Sequence, residues 1–223
     1  MLATVDDAAP DAVWCLGDVV GYGPAPNRCC EVVAERAHLC LVGNHDLVVL
    51  GKLGIEEFNG DAAAAARWTR KELDARSRAF LATLDSKARE NGAELFHASP
   101  RDPVWEYVLS AETAYISLLA TTAPIVLVGH SHIALAIGLE DDELRGGLAA
   151  AGTDVQLEGR WLLNPGSVCQ PRDGDPRAAW LLLDPEARTA SFHRIAYDVG
   201  RTQADMRDKG LPEGLAERLA HGV

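Results

Sequence analysis

The sequence is poor in aromatic residues (6%) and in positive charge, with 21 lysines and arginines against 33 aspartates and glutamates, a formal net charge of −12. This balance excludes a nucleic-acid binder that works through an extended basic face, so any phosphate bound here needs local positive charge. No apolar run approaches the roughly 18 residues of a membrane-spanning helix, and no membrane partner is expected. The start, Met1-Leu2-Ala3-Thr4-Val5-Asp6-Asp7, has no basic segment ahead of an apolar stretch, which argues against a signal peptide. The five cysteines, Cys15, Cys29, Cys30, Cys40 and Cys169, are odd in number and lack C-x-x-C spacing, which fits neither a disulfide framework nor a zinc knuckle. They read as reduced thiols of a cytoplasmic protein, with Cys15 and Cys40 as small core residues.

What is present describes a globular chain. Its 223 residues are 48% hydrophobic and 24% charged, enough to bury a sizeable core. No repeat, low-complexity tract or composition shift marks a boundary, so residues 1–223 read as a single domain. Four short apolar runs each stop in a polar cluster: Ala12 to Leu16 before Gly17-Asp18, Leu39 to Val42 before Gly43-Asn44-His45-Asp46, Glu94 to Phe96 before His97, and Ile125 to Val128 before Gly129-His130-Ser131-His132. Runs this short, stopped by glycine or a polar residue, predict buried strands. Helical stretches lie between them: Asn27 to Arg36 with Asn27 as cap, Asp61 to Leu73, Ser77 to Leu84, and Ala111 to Ala120. After His132 come strands without helices, at Leu135 to Leu139, Val155 to Leu157, Trp161 to Leu163, Ala179 to Leu183 and Ala190 to His193. They predict an antiparallel or mixed second sheet packed on the first, a two-sheet α/β sandwich flanked by helices. The tail, Tyr197 to Lys209 and Pro212 to Ala220, reads as one or two helices.

Asp, Asn and His in loops that follow buried strands suit divalent ions that accept both oxygen and imidazole nitrogen. Asp18, Asn44, His97, His130 and His132 form such a set. Asp18 alone reads more simply as a helix cap, but the joint pattern favours ligation. His130 and His132, two residues apart, would point to different sides of an extended loop and reach different metals.

With these motifs in view, the sequence resembles the calcineurin-like metallophosphoesterases, in their small bacterial and archaeal phosphodiesterase-like branch. The matching residues are Gly17-Asp18-Val19-Val20-Gly21-Tyr22-Gly23-Pro24, Gly43-Asn44-His45-Asp46, Phe96-His97-Ala98-Ser99-Pro100, Gly129-His130-Ser131-His132 and Asn164-Pro165-Gly166-Ser167-Val168. The resemblance implies that Asp18 bridges two metals, that Asn44, His97 and His130 complete one site, and that His132 belongs to the other. It implies His45 as the general acid that protonates the leaving oxygen, a role that suits an imidazole. The chain departs from the family pattern in one respect: none of its seven histidines has an Asp two positions before it, so the Asp-x-His motif of the first strand is missing. Met1 to Ala9 then reads as the remnant of the family's first helix. Either the start lies downstream of the natural one, or this is a shortened and inactive form.

The reading that results is a metal-dependent phosphoesterase that hydrolyses a phosphomonoester or phosphodiester, of a small molecule or a nucleotide, by direct attack of metal-activated water. Manganese is the expected metal, with zinc, iron, nickel and magnesium also compatible with the ligand set. The second metal site is expected to be incomplete, and the missing strand predicts reduced stability or a homo-oligomer that covers the gap. The rival reading is a pseudoenzyme that keeps one metal and acts by binding. Arg172 and Asp173, after the Asn164-Pro165-Gly166-Ser167 turn, are expected at the substrate mouth.

Overall fold

The computed structural model describes residues 1–223. The strands are β1 (Trp14–Cys15), β2 (Leu39–Cys40), β3 (Lys87–Glu90), β4 (Ala93–Phe96), β5 (Ile125–Val128), β6 (Ala134–Glu140), β7 (Glu143–Leu148), β8 (Asp154–Gln156), β9 (Arg160–Pro165), β10 (Ala178–Asp184) and β11 (Thr189–Ile195). The helices are α1 (Leu2–Asp7), α2 (Pro26–Arg36), α3 (Asn44–Leu50), α4 (Gly60–Glu72), α5 (Ala75–Ala82), α6 (Ala111–Leu119), α7 (Val199–Asp208) and α8 (Glu213–Glu217).

One layer is a six-stranded mixed sheet in the order β3-β4-β5-β9-β6-β7, with β4, β5 and β9 parallel. Its central strands are apolar on both faces because both are covered. Leu95, Ile125, Leu127 and Leu163 face the second layer. Phe96, Val126, Val128 and Leu162 face Ala114 and Leu118 of α6. The second layer comes in two pieces, the parallel pair β1-β2 and the antiparallel sheet β10-β11-β8. Trp14, Leu16 and Leu39 from the first piece, and Phe192, Leu181 and Leu183 from the second, pack into the same core. Helices α2 to α5 cover the β1-β2 side around Val48, Val49, Ala66 and Leu81.

The two-layer sandwich flanked by helices is therefore present, but its strands are shared out differently from the sequence expectation. The strands Leu135 to Leu139 and Trp161 to Leu163 extend the first sheet instead of building the second. β9 pairs parallel with β5 and antiparallel with β6, which lets its alternating Trp161, Leu162 and Leu163 bury on both faces. Asn27 does not cap α2. Pro26 takes the first helical position, where its missing N–H costs nothing. The Asn27 side chain instead donates to the Glu72 carbonyl (2.9 Å) and accepts from the Asp74 N–H (2.9 Å), which ties α2 to the α4–α5 turn. β1 is hydrogen-bonded to β2 alone and β10 to β11 alone, so each has one free edge.

Candidate metal centre

The site forms where β1, β2, β4 and β5 end. The loops after β1 and β2 are cross-linked by Asp46, a fully buried carboxylate that accepts from the N–H groups of Gly43 (2.9 Å), Val20 (3.0 Å) and Val19 (3.3 Å). Burial pushes the Asp46 carboxyl up from its ordinary value, and the neighbouring Asp18 adds to this. The cross-link leaves no room at Gly43. A Cβ there would lie 2.1 Å from Asp18 Oδ1 and 2.6 Å from the Asp18 backbone nitrogen. Asp18, His130 and His132 all adopt left-handed backbone, with φ of 52°, 58° and 61°. Asp and His tolerate that region better than most residues, and strain of this kind gathers at functional sites.

Asp18, His97 and His130 converge, with one ligand atom from each lying within 4.8 Å of the others. His97 is buried, and its Nδ1 donates to the Leu16 carbonyl at 2.8 Å. Burial lowers its pKa, so the ring is neutral near pH 7 and its Nε2 carries a lone pair. That lone pair faces Asn44 Oδ1 at 3.2 Å and Asp18 Oδ2 at 3.5 Å. His130 stacks on Tyr107 at 3.9 Å, while its Nε2 is buried without a partner. Asp18 Oδ2 is likewise buried and unpartnered, while Oδ1 accepts from the His45 N–H at 2.9 Å. Burial pushes the Asp18 carboxyl up and pulls His130 down to about 3. Asp18 Oδ2 and Asn44 Oδ1 thus lie against His97 Nε2, with His130 beside them, in a buried group that a cation held between these residues would satisfy. The mixed oxygen and imidazole set fits a divalent ion of the manganese or zinc type.

His132 stands outside this group of three. Its Nδ1 donates to the Gln170 carbonyl at 2.7 Å, which turns Nε2 away from that bond, and burial lowers its pKa to about 3. His45 also lies beside the group. Its ring is sandwiched between Tyr22 (4.3 Å) and Phe58 (4.4 Å), and its buried Nδ1 has no partner. Burial pulls the His45 pKa well below 6.5, helped by neighbouring His132 and Arg172.

Several supporting residues had no role assigned from sequence. Asn164 donates to the Gly129 carbonyl (2.8 Å) and to Ser131 Oγ (2.9 Å), and so braces the loop that carries His130 and His132. The Arg172 N–H donates to the His132 carbonyl at 3.1 Å. Of the two residues expected at the mouth, Arg172 does face the site, donating to the Tyr22 hydroxyl at 3.3 Å. Asp173 does not: it is buried in an ion pair with Arg194 and accepts from the Ala134 N–H at 3.1 Å, because a carboxylate at that depth requires a cation.

The profile of the "Calcineurin-like phosphoesterase superfamily domain" matches residues 1–188. The chain belongs to the calcineurin-like phosphoesterase superfamily. The crystal structure of a metallophosphoesterase from Sphaerobacter thermophilus superposes with a TM-score of 0.88 at 40% identity, covering 100% of this chain and 93% of that one. Protein MJ0912 of Methanocaldococcus jannaschii is 35% identical over 215 residues, 94% of this chain and 86% of its own. Protein PH1004 of Pyrococcus horikoshii OT3 shares the fold at 18% identity, with a TM-score of 0.80 over 100% of this chain and 91% of its own. Calcineurin-like phosphoesterases depend on metal, and in this member the Asp18, His97 and His130 group is where one would be held. No helix of the chain is long and apolar enough to cross a membrane.

Proposed function

We propose that the chain hydrolyses a phosphomonoester or phosphodiester of a small molecule or nucleotide, with Asp18, Asn44, His97 and His130 as ligands to a divalent metal and manganese as the working ion. The observation that carries this is the convergence of Asp18, His97 and His130 in one buried group, with Asp18 Oδ2 and His130 Nε2 left without hydrogen-bond partners. A divalent cation there supplies Lewis-acid polarisation of a phosphoryl oxygen and an acidified water. The chain's own residues do the rest. The hydrogen bond from His97 Nδ1 to Leu16 leaves Nε2 toward Asp18 and Asn44, and the bond from His132 Nδ1 to Gln170 holds the His132 ring in place. On this reading His45, whose buried Nδ1 has no hydrogen-bond partner, gives a proton to the leaving oxygen. In the free protein it is neutral. A phosphoester beside it brings negative charge that favours the imidazolium and so raises its pKa toward the working range.

Hydrolysis of p-nitrophenyl phosphate and bis(p-nitrophenyl) phosphate with added Mn²⁺ tests the reading, alongside elemental analysis. His45→Ala should keep its metal and lose about 10²–10⁴-fold in turnover. Undiminished turnover in a metal-loaded His45→Ala protein removes His45 from the mechanism. A wild-type protein that binds metal and turns over neither ester is a binding module, and the phosphoesterase reading fails.

A further inference from the structure

With a formal net charge of −12, the chain attracts a phosphoryl group to the metal group only if a cation stands close by. The histidines there do not supply it. His45, His97, His130 and His132 all have pKa values lowered by burial, so they are neutral near pH 7. Arg172 is the fixed positive charge beside them. Burial is the main cause of the lowered pKa at His45, His130 and His132, and the charge of Arg172 adds to it at each; at Asp18 the same charge opposes the effect of burial.

The Arg172 guanidinium is held in place without being neutralised. The backbone N–H of Arg172 donates to the His132 carbonyl at 3.1 Å, which ties the residue to the loop that carries His130 and His132. Its Nη2 donates to the Tyr22 hydroxyl at 3.3 Å, and the Tyr22 ring in turn packs on His45 at 4.3 Å. A second bond from Nη2 goes to Gln170 Oε1 at 3.0 Å, while the Gln170 carbonyl holds the His132 ring. Both acceptors are neutral. Nη1 makes no hydrogen bond, and Nε is buried without a partner. Arg172 takes part in none of the chain's ion pairs, and Asp18, which feels its charge, lies beyond ion-pair distance. The next residue shows the contrast: Asp173 is paired, but with Arg194. An arginine whose task was to neutralise a buried carboxylate would sit against one, as Arg194 does.

We propose that Arg172 binds the non-bridging oxygens of the scissile phosphoryl group, and so is the residue that selects a phosphate ester for this site. The proposal rests on the phosphoesterase reading. A guanidinium presents its N–H groups in one plane and matches two phosphate oxygens at once, which the point charge of a lysine does not. Tyr22 and Gln170 fix the side chain before substrate arrives, and that lowers the entropic cost of binding.

The test uses the manganese-loaded full chain with inorganic phosphate as the probe, titrated by calorimetry and as a competitive inhibitor of p-nitrophenyl phosphate hydrolysis. Arg172→Gln should weaken phosphate binding about 10–100-fold, the worth of a hydrogen bond to a charged group, and the loss in hydrolysis should fall chiefly on KM. Arg172→Lys should recover part of the loss, because it keeps the charge but not the planar fork. Manganese content separates this from a structural role: the bond to the His132 carbonyl belongs to the backbone, so both variants should retain the metal. Undiminished phosphate affinity in Arg172→Gln overturns the proposal, as does a loss that appears only together with loss of manganese. A crystal structure of the wild-type protein with manganese and tungstate decides the matter without any variant. A guanidinium nitrogen within about 3.2 Å of a tungstate oxygen supports the proposal, and tungstate bound at the metal without such a contact overturns it. If the wild type does not hydrolyse p-nitrophenyl phosphate, the catalytic reading fails by itself, and the phosphate titration and the tungstate structure still decide the role of Arg172.

Discussion

Asp18 is a residue whose burial serves binding rather than stability. Its carboxyl is taken out of water, its Oδ2 has no partner, and its backbone sits at a φ of 52° that costs a non-glycine residue about 1–3 kcal/mol. Asparagine tolerates the same backbone, keeps an Oδ1 for the His45 N–H, and brings no charge. Asp18→Asn should therefore leave the metal-free protein as stable as the wild type or more so, while its melting temperature ceases to respond to Mn²⁺. A variant that is several degrees less stable without metal, or that still responds to the ion, contradicts this account. The same logic covers His130, whose Nε2 is unpartnered while its ring is pinned by stacking on Tyr107.

At the level of elements, the site is made by four loops that must approach closer than ordinary side chains permit. Gly43 is the tightest point, since an added Cβ would meet Asp18 Oδ1 at 2.1 Å and His97 Cε1 at 2.6 Å. Part of that obstruction is backbone, the Asp18 nitrogen at 2.6 Å, which cannot rotate aside. Gly43→Ala should destabilise the protein by about 1–3 kcal/mol or more and abolish tight metal binding, as read by denaturant unfolding and metal content. Retained metal affinity would show that the β1 and β2 loops can separate without harm to the site. Three elements escaped the sequence reading: the helix α3, which begins at Asn44 where a loop was expected, and the strands β3 and β7. β3 and β7 carry few apolar residues, so their periodicity is weak. The Asn91-Gly92 pair was nevertheless a hairpin signal, and both residues have positive φ, as do Asp141 and Asp142 between β6 and β7.

For the molecule as a whole, the proposed metal site means that the folded state should bind a cation that the unfolded chain does not hold. At a free metal concentration of about 1,000 times Kd, linkage predicts about 4 kcal/mol of added stability. For a chain of this length that is about 8–16 °C in melting temperature. Thermal unfolding in EDTA and in Mn²⁺ measures the difference, and coincident curves would mean that no tight site exists. The second layer of the sandwich also bears on the molecule as a whole. It reaches the core as β1-β2 and as β10-β11-β8, each with a free edge strand, and side-chain packing around Leu95, Leu127 and Phe192 brings the pieces into one core.

The sequence by itself determined where chemistry could gather, because each candidate ligand follows a short apolar run and strand ends are local features. Gly17-Asp18, Gly43-Asn44-His45-Asp46, His97 and Gly129-His130-Ser131-His132 stand out for that reason. Tertiary structure decided which strands share a sheet, since β9 joins β5 and β6 through backbone hydrogen bonds that leave no mark in composition. It also decided that Asp46, Asn164 and Gln170 brace the loops, and that Tyr22 packs against His45. Those relations depend on partners far apart in the chain, and a polar residue shows from its sequence neighbours only that it needs a partner, not which one it will meet.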